Sequence, residues 1–232
     1  MTSRVQILPV VEITVFSFSE RAAPAANCSQ EEFRDYERQC ARDAGLDHLR
    51  PVSESRPGNW FYELAQLADP HSLEALAKHA LDTTLEDGEE FPGVEDLEEA
   101  FSAFDGGLVV FVEGELFSVP GCCCDLGEID PWREAVEQQT TEWVEPWTGH
   151  DYDAIRIRYN PSSSLIELEF SEWLKQDWGR GLSLSAEDAL AQLVATRKEQ
   201  EHLATRLAEC MPSIVPHVSR EPLARLFAGL RR

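Results

Sequence analysis

The sequence predicts an α+β protein: an antiparallel sheet built from hairpins, several helices packed on it, and a long helix near the C-terminus. Three observations predict it. Two pairs of short segments, 108–112 with 115–119 and 155–159 with 166–170, are β-rich and face each other across turn-forming residues. Other stretches repeat their apolar residues every three to four positions, as helices that bury one face do. The longest of these, Ser185 to Cys210, follows the last strand pattern.

In chain order, Val5 to Phe18 is rich in Val, Ile and Phe and reads as a strand, with Pro9 calling for an edge position or a bulge near its start. The same apolar run raises the question of a signal peptide. Pro9 and Glu12 interrupt it, and Glu20 and Arg21 stand before the small residues Ala22 to Ala26, so the strand reading is preferred. Ser29 with Glu32 forms a capping box, and Phe33, Tyr36 and Cys40 follow at helical spacing until Gly45. Leu46 to Asn59, with Pro51, Pro57 and Gly58, reads as a connection. Trp60, Phe61, Leu64 and Leu67 resume helical spacing. Asp69 followed by Pro70 then opens a helix to about Leu81, with Leu73, Leu76, Ala77 and Ala80 on its buried face.

Gly88 to Gly93 reads as an acidic turn, and Val94, Leu97, Phe101 and Phe104 as the apolar side of a short helix. Glu113-Gly114 is a two-residue hairpin turn. In the second hairpin Arg156 and Arg158 alternate with Ile155, Ile157 and Tyr159, while Glu167 and Glu169 alternate with Ile166, Leu168 and Phe170. The outward arginines should face the outward glutamates, each pair contributing ~0.2–1 kcal/mol. In the long helix, capped by Ser185 and closed by Met211-Pro212, Leu190, Leu193, Val194, Leu203 and Leu207 make a broken stripe, with Arg197 at a core position. Pro222 to Leu230 adds a short basic helix. The expected organisation is an α+β domain over 1–182 and a helical extension over 183–232 packed on it, unless the two form one domain.

Charge narrows the function classes. The net charge is −23, and between Glu86 and Glu145 eighteen Asp and Glu face a single Arg133. From Arg197 onward seven basic residues outnumber four acidic ones. A field of that sign repels nucleic-acid backbones and anionic lipid, so the expected partners include no nucleic acid and no membrane; it attracts a basic protein. A plain solubilising surface is the competing explanation. No window approaches the roughly 18 uninterrupted apolar residues of a membrane helix, and a cytoplasmic location is expected.

Six cysteines stand at 28, 40, 122, 123, 124 and 210. Three are contiguous, which is a poor disulfide framework, so reduced thiols are expected. A thiol enzyme using one of Cys122 to Cys124 would need a base or a helix N-terminus to lower the thiol pKa. The helix expected from Pro131 starts too late, and His150 is the candidate base. Adjacent cysteines do not converge on a tetrahedral metal, and the six histidines form no ligand pair, so neither a metal nor a cofactor is expected. The acidic stretch lacks the spacing of a calcium loop, and P-loop, Rossmann, G-x-S-x-G and kinase signatures are absent from the sequence.

Five of the six tryptophans, 132, 143, 147, 173 and 178, lie in the second half. Core packing explains most tryptophans, but Trp143 and Trp147 in a short irregular segment are candidate partner anchors, with Glu142, Glu145 and Asp151 as surrounding charge. Glu95, Asp96, Glu98 and Glu99, on the open face of the short helix, are the second group of candidate partner-binding residues.

The Gly106-Gly107 hairpin start, the run Pro120-Gly121-Cys122-Cys123-Cys124-Asp125-Leu126-Gly127-Glu128, and Trp132 together resemble a segment of uncharacterised bacterial proteins that include immunity proteins of polymorphic toxin systems. The resemblance covers 27 of the 232 residues. The familiar immunity-domain signatures are missing elsewhere, so no fold is implied. It implies a charge-complementary complex with a cognate toxin and no catalytic residues. Independently of it, Cys122, Cys123, Cys124, Asp125 and Trp132 read as a structural joint, the thiols filling tight space under the hairpin and Asp130-Pro131 starting the covering helix. The function expected is therefore an acidic protein-binding module, an immunity-type inhibitor of a basic toxin. The alternatives are a thiol-dependent enzyme and a structural component in which the basic tail docks on the acidic region of a second copy.

Overall fold

A computed structural model describes residues 4–25, 27–84, 96–121, 123–149, 154–171, 178, 180–214 and 220–230. The protein is α+β. Strands β1 (Val5–Thr14), β2 (Ser53–Arg56), β3 (Asn59–Glu63), β4 (Gly106–Val112) and β5 (Glu115–Ser118) form an antiparallel sheet in the order β2-β3-β1-β4-β5. Strands β6 (Ala154–Asn160), β7 (Leu165–Ser171) and β8 (Arg180–Ser185) form a second, in chain order. Helices α1 (Gln30–Asp43), α2 (Pro70–Thr84), the single turn α3 (Leu97–Ala100), α4 (Ile129–Glu137), α5 (Ala186–Ile214) and α6 (Arg220–Phe227) complete the described elements.

Strand β1 is central rather than an edge, and its first half shows how Pro9 is tolerated there. Pairing with β4 runs from Val5 to Val11, but pairing with β3 begins only at Val10. On that uncovered side the Ile7 N–H donates to Gln192 Oε1 at 2.7 Å, and Gln192 Nε2 donates to the Val5 carbonyl at 3.2 Å. Pro9, two residues beyond Ile7, faces the same side, where a missing N–H removes no ladder bond. Gln192 of α5 thus stands in for a strand along this half-edge.

The expected helix over Trp60 to Leu67 is instead β3 followed by a short 3-10 turn at Leu64–Gln66. Phe61 and Tyr62 are both fully buried, on opposite faces of the sheet. A strand covered on both sides loses its alternation, and helical spacing then arises by coincidence. Within the expected connection 46–59 lies β2, which makes a hairpin with β3 around Gly58, at φ +77°. Phe101 and Phe104 are buried as expected, but in chain that leaves α3 after one turn. Gly88 to Gly93 and Val94 lie outside the described residues.

The capping box of α1 forms between Ser29 and Glu32, and the Asp69 carboxylate accepts the Ser72 N–H at 2.9 Å at the start of α2. Glu113 and Gly114 both take positive φ, 54° and 87°, the mirror-image turn that matches strand twist. In the second hairpin Arg156 pairs with Glu169 and Arg158 with Glu167, in the expected register. The strand β8 was not expected; its register places Leu182 and Leu184 opposite Leu168 and Ile166.

Helix α5 continues through Pro212 to Ile214, beyond the expected stop at Cys210. Its broken stripe has a physical explanation. Leu193, Leu203, Leu207 and Met211 are buried, and so are the polar Thr196 and Gln200, whereas Leu190 and Val194 are 37% and 38% exposed. Arg197 sits beside the stripe and reaches Asp130 of α4 at 3.2 Å. The buried cluster is continuous from Ile7 of β1 to Leu230 beyond α6 and includes residues of both sheets.

Candidate functional site

The segment from β5 to α4 is a tight joint built mainly from backbone hydrogen bonds. The Gly121 N–H donates to the Thr148 carbonyl at 2.8 Å, and the Cys124 N–H returns to the Gly121 carbonyl at 3.4 Å, closing a turn. Cys123 inside it takes φ +63°, a conformation that side chains other than glycine and asparagine rarely adopt. The Cys124 carbonyl accepts the Gly106 N–H at 2.9 Å, and Leu126 N–H donates to the Phe104 carbonyl at 3.0 Å, tying the turn to the entry of β4. The Asp125 carboxylate caps the following 3-10 turn by accepting the Gly127 N–H at 2.6 Å. The helical run therefore starts directly after the cysteines, earlier than the expected Pro131, with α4 at Ile129. Trp132 is buried on α4, and Cys122 lies outside the described residues.

This joint holds the exposed Trp147. The indole N–H donates to the Cys123 carbonyl at 3.4 Å, and the Cys124 thiol donates to the Trp147 carbonyl at 3.9 Å. With its backbone and ring both tied, the side chain stays 42% exposed, the most open of the described tryptophans. A partner that covered this indole would lose little side-chain entropy in ordering it.

Trp143 is placed differently. Its neighbour Val144 exchanges two backbone hydrogen bonds with Ile157, at 2.9 and 2.8 Å, extending the second sheet beside β6. The Trp143 ring then receives Arg156 at 4.4 Å and Arg158 at 4.3 Å, and Arg156 also lies 4.3 Å from the centre of the Trp178 ring. Indoles and guanidiniums alternate across the outer face of β6, and the same arginines pair with Glu169 and Glu167. Hydrogen bonds from Asn160 and Arg158 hold the Glu167 carboxyl below its ordinary range. The sequence offered the arginine–glutamate ladder but not the indoles, because Trp143 and Trp178 flank the hairpin from outside it.

The stack has an electrostatic consequence. Arg156 and Arg158 are committed to Glu169 and Glu167, Arg133 to Asp130 and Glu137, and Arg197 to Asp130. Glu142 and Glu145, both exposed, have no hydrogen bond or ion pair among the described residues. The segment 142–147 thus presents two uncompensated carboxylates and one fixed indole. Of the second expected group, Asp96 and Glu99 are exposed at and within α3, which packs against α6. Glu98 belongs to α3, while Glu95 and Asp151 lie outside the described residues. The two acidic groups therefore sit on different elements.

For thiol chemistry the geometry is divided. Cys124 is 3% exposed with its proton directed at a carbonyl, whereas Cys123 is exposed. His150 lies outside the described residues. Iodoacetamide at neutral pH is expected to label Cys123 well before Cys124, and peptide mapping reads the order; equal rates would mean that the joint opens.

Among the described residues no group of three or more His, Cys, Asp or Glu is arranged to hold a metal ion, and no helix is long and apolar enough to cross a membrane. No family model, curated protein or solved structure matches the chain.

Proposed function

We propose that the chain is an acidic protein-binding module of the immunity type, which binds and neutralises a basic bacterial toxin in the cytoplasm. The observation that carries this reading is Trp147. It is a large ring left exposed yet tied at both ends by the cysteine turn, in a segment whose carboxylates Glu142 and Glu145 form no ion pair among the described residues. An aromatic anchor with a charged rim is the usual anatomy of an interface hot spot. Unpaired carboxylates at the rim speed encounter with a basic surface and weaken it as salt rises.

The local resemblance to immunity proteins falls on the joint that holds Trp147. On this reading the triplet has a positioning role, since Cys123 and Cys124 make the two hydrogen bonds that hold Trp147. Affinity capture of the tagged protein from its own native lysate at low ionic strength, eluted with rising salt, tests it. One stoichiometric basic protein that leaves only at high salt is expected. Recovery of the chain alone, or only as an oligomer of itself, would contradict the proposal.

A further inference from the structure

Helix α5 has two faces, and the fold accounts for only one of them. Leu193, Thr196, Gln200, Leu203 and Leu207 point into the core, while Glu187, Leu190, Ala191, Val194, Ala195 and Lys198 are all exposed. At about 100° per residue these exposed positions fall on one side of the helix, over about three turns. Leu190 and Val194 stand among the few large apolar side chains left open in the described residues. An apolar patch framed by charge at both ends is the surface of a contact.

The order of residues along this stripe is self-complementary. A two-fold axis through the stripe, at the level between Gln192 and Leu193, sets a second copy of the helix antiparallel to the first, and residues equally far from the axis then meet. Leu190 would lie over Ala195 of the second copy, Val194 over Ala191, and Glu187 over Lys198. Each large side chain meets a small one, which lets the helices approach closely, and each acid meets a base. Moving the axis to Val194 would set Glu187 against Glu201 and Leu190 against Lys198, so charge fixes the register. Neither Glu187 nor Lys198 has an ion pair among the described residues: those of α5 join Arg197 to Asp130 and Glu201, and His202 to Glu199.

We propose that the stripe from Glu187 to Lys198 is a dimer interface, occupied by the same stripe of a second copy of this chain. A basic partner would find Lys198 opposing it, whereas a second copy answers both charges at once. Three turns of helix on each side make a small contact, so the dimer is weak, with a dissociation constant on the order of 10–100 µM. The net charge of −23 on each copy opposes association at long range. Salt screens that repulsion beyond about 8 Å at physiological strength but acts less on groups in contact. Self-association should therefore tighten as salt rises from roughly 0.02 to 0.15 M, the reverse of docking on a basic toxin.

Sedimentation equilibrium of the full chain over a concentration series tests the interface, and a monomer–dimer equilibrium is expected. Leu190→Asp should abolish it. Glu187→Lys and Lys198→Glu should each weaken it about fivefold or more, by setting like charges face to face. The double variant Glu187→Lys with Lys198→Glu keeps the net charge and should return the constant to within about twofold of wild type. These side chains are exposed, so unfolding midpoints should change little, and rescue by the charge exchange separates a contact between copies from a loss of folding. A monomer at every concentration up to about 1 mM, a dimer that Leu190→Asp leaves intact, or single reversals that the exchange does not rescue would overturn the proposal. A monomer that loses its captured basic partner on Leu190→Asp would also overturn it, and would assign the stripe to that partner. Trp147→Ala should leave dimerisation unchanged, so failure here is separable from failure of the protein-docking reading.

Discussion

Gly229→Ala should destabilise the protein by about 3 kcal/mol or more, a loss in the class of severe backbone strain. Gly229 ends α6 at φ +74°. Its own N–H donates to the Leu226 carbonyl at 2.9 Å, and the Leu230 N–H reaches back to the Arg225 carbonyl at 2.8 Å. That pair of bonds is the helix-ending motif that requires a left-handed residue. A methyl group added there would stand 2.4 Å from the Leu126 carbonyl carbon and 2.7 Å from the Gly127 nitrogen. These are backbone atoms of the joint, anchored by the hydrogen bond of Leu126 to Phe104. Chemical denaturation should show a lower midpoint at unchanged slope. A loss below about 1 kcal/mol would mean that α6 and the joint are less closely docked than described.

Gln200→Ala should cost about 2–4 kcal/mol through the same contact. Gln200 is 1% exposed in the middle of α5, and its Nε2 donates to the Leu126 and Ala228 carbonyls, both at 2.9 Å. Truncation leaves a void and strands two buried acceptors. Because both substitutions act on Leu126 and the end of α6, their effects should sum to less than additive in the double variant. Full additivity, measured by denaturation, would show that the two contacts are independent.

The parts of the fold that were legible in the sequence are those whose signal is local. Ser29 with Glu32, Asp69 with Pro70, and Glu113-Gly114 each fix a few backbone groups by themselves. The register of Arg156 and Arg158 against Glu169 and Glu167 follows from charge alternation across one short turn. What was not legible depends on distant chain. β3 reads as a helix until β1 and β2 cover its two edges and packing buries both faces. Pro9 is compatible with a central strand because Gln192, far along the chain, serves the open side. Arg197 looked misplaced in a core stripe until Asp130 of α4 came within reach.

The candidate site divides in the same way. Trp147 and its flanking acids were visible as composition, but the difference between an exposed Trp147 and an Arg-covered Trp143 is tertiary. Of the thiols expected to fill tight space under the hairpin, Cys124 is buried but Cys123 is exposed, because its left-handed backbone turns the side chain out, and Cys122 lies outside the described residues.

The measurement that bears most directly on the docking reading is the affinity of the captured basic partner for wild type and for Trp147→Ala at low salt. The account predicts a loss of roughly 30-fold or more, the effect of removing an interface hot spot. It further predicts that Glu142→Lys with Glu145→Lys weakens binding and flattens its salt dependence, whereas Asp96→Lys with Glu99→Lys changes affinity by about twofold at most. Equal affinity of wild type and Trp147→Ala, in variants that unfold at the same midpoint, would contradict the account and move the docking surface away from the cysteine joint.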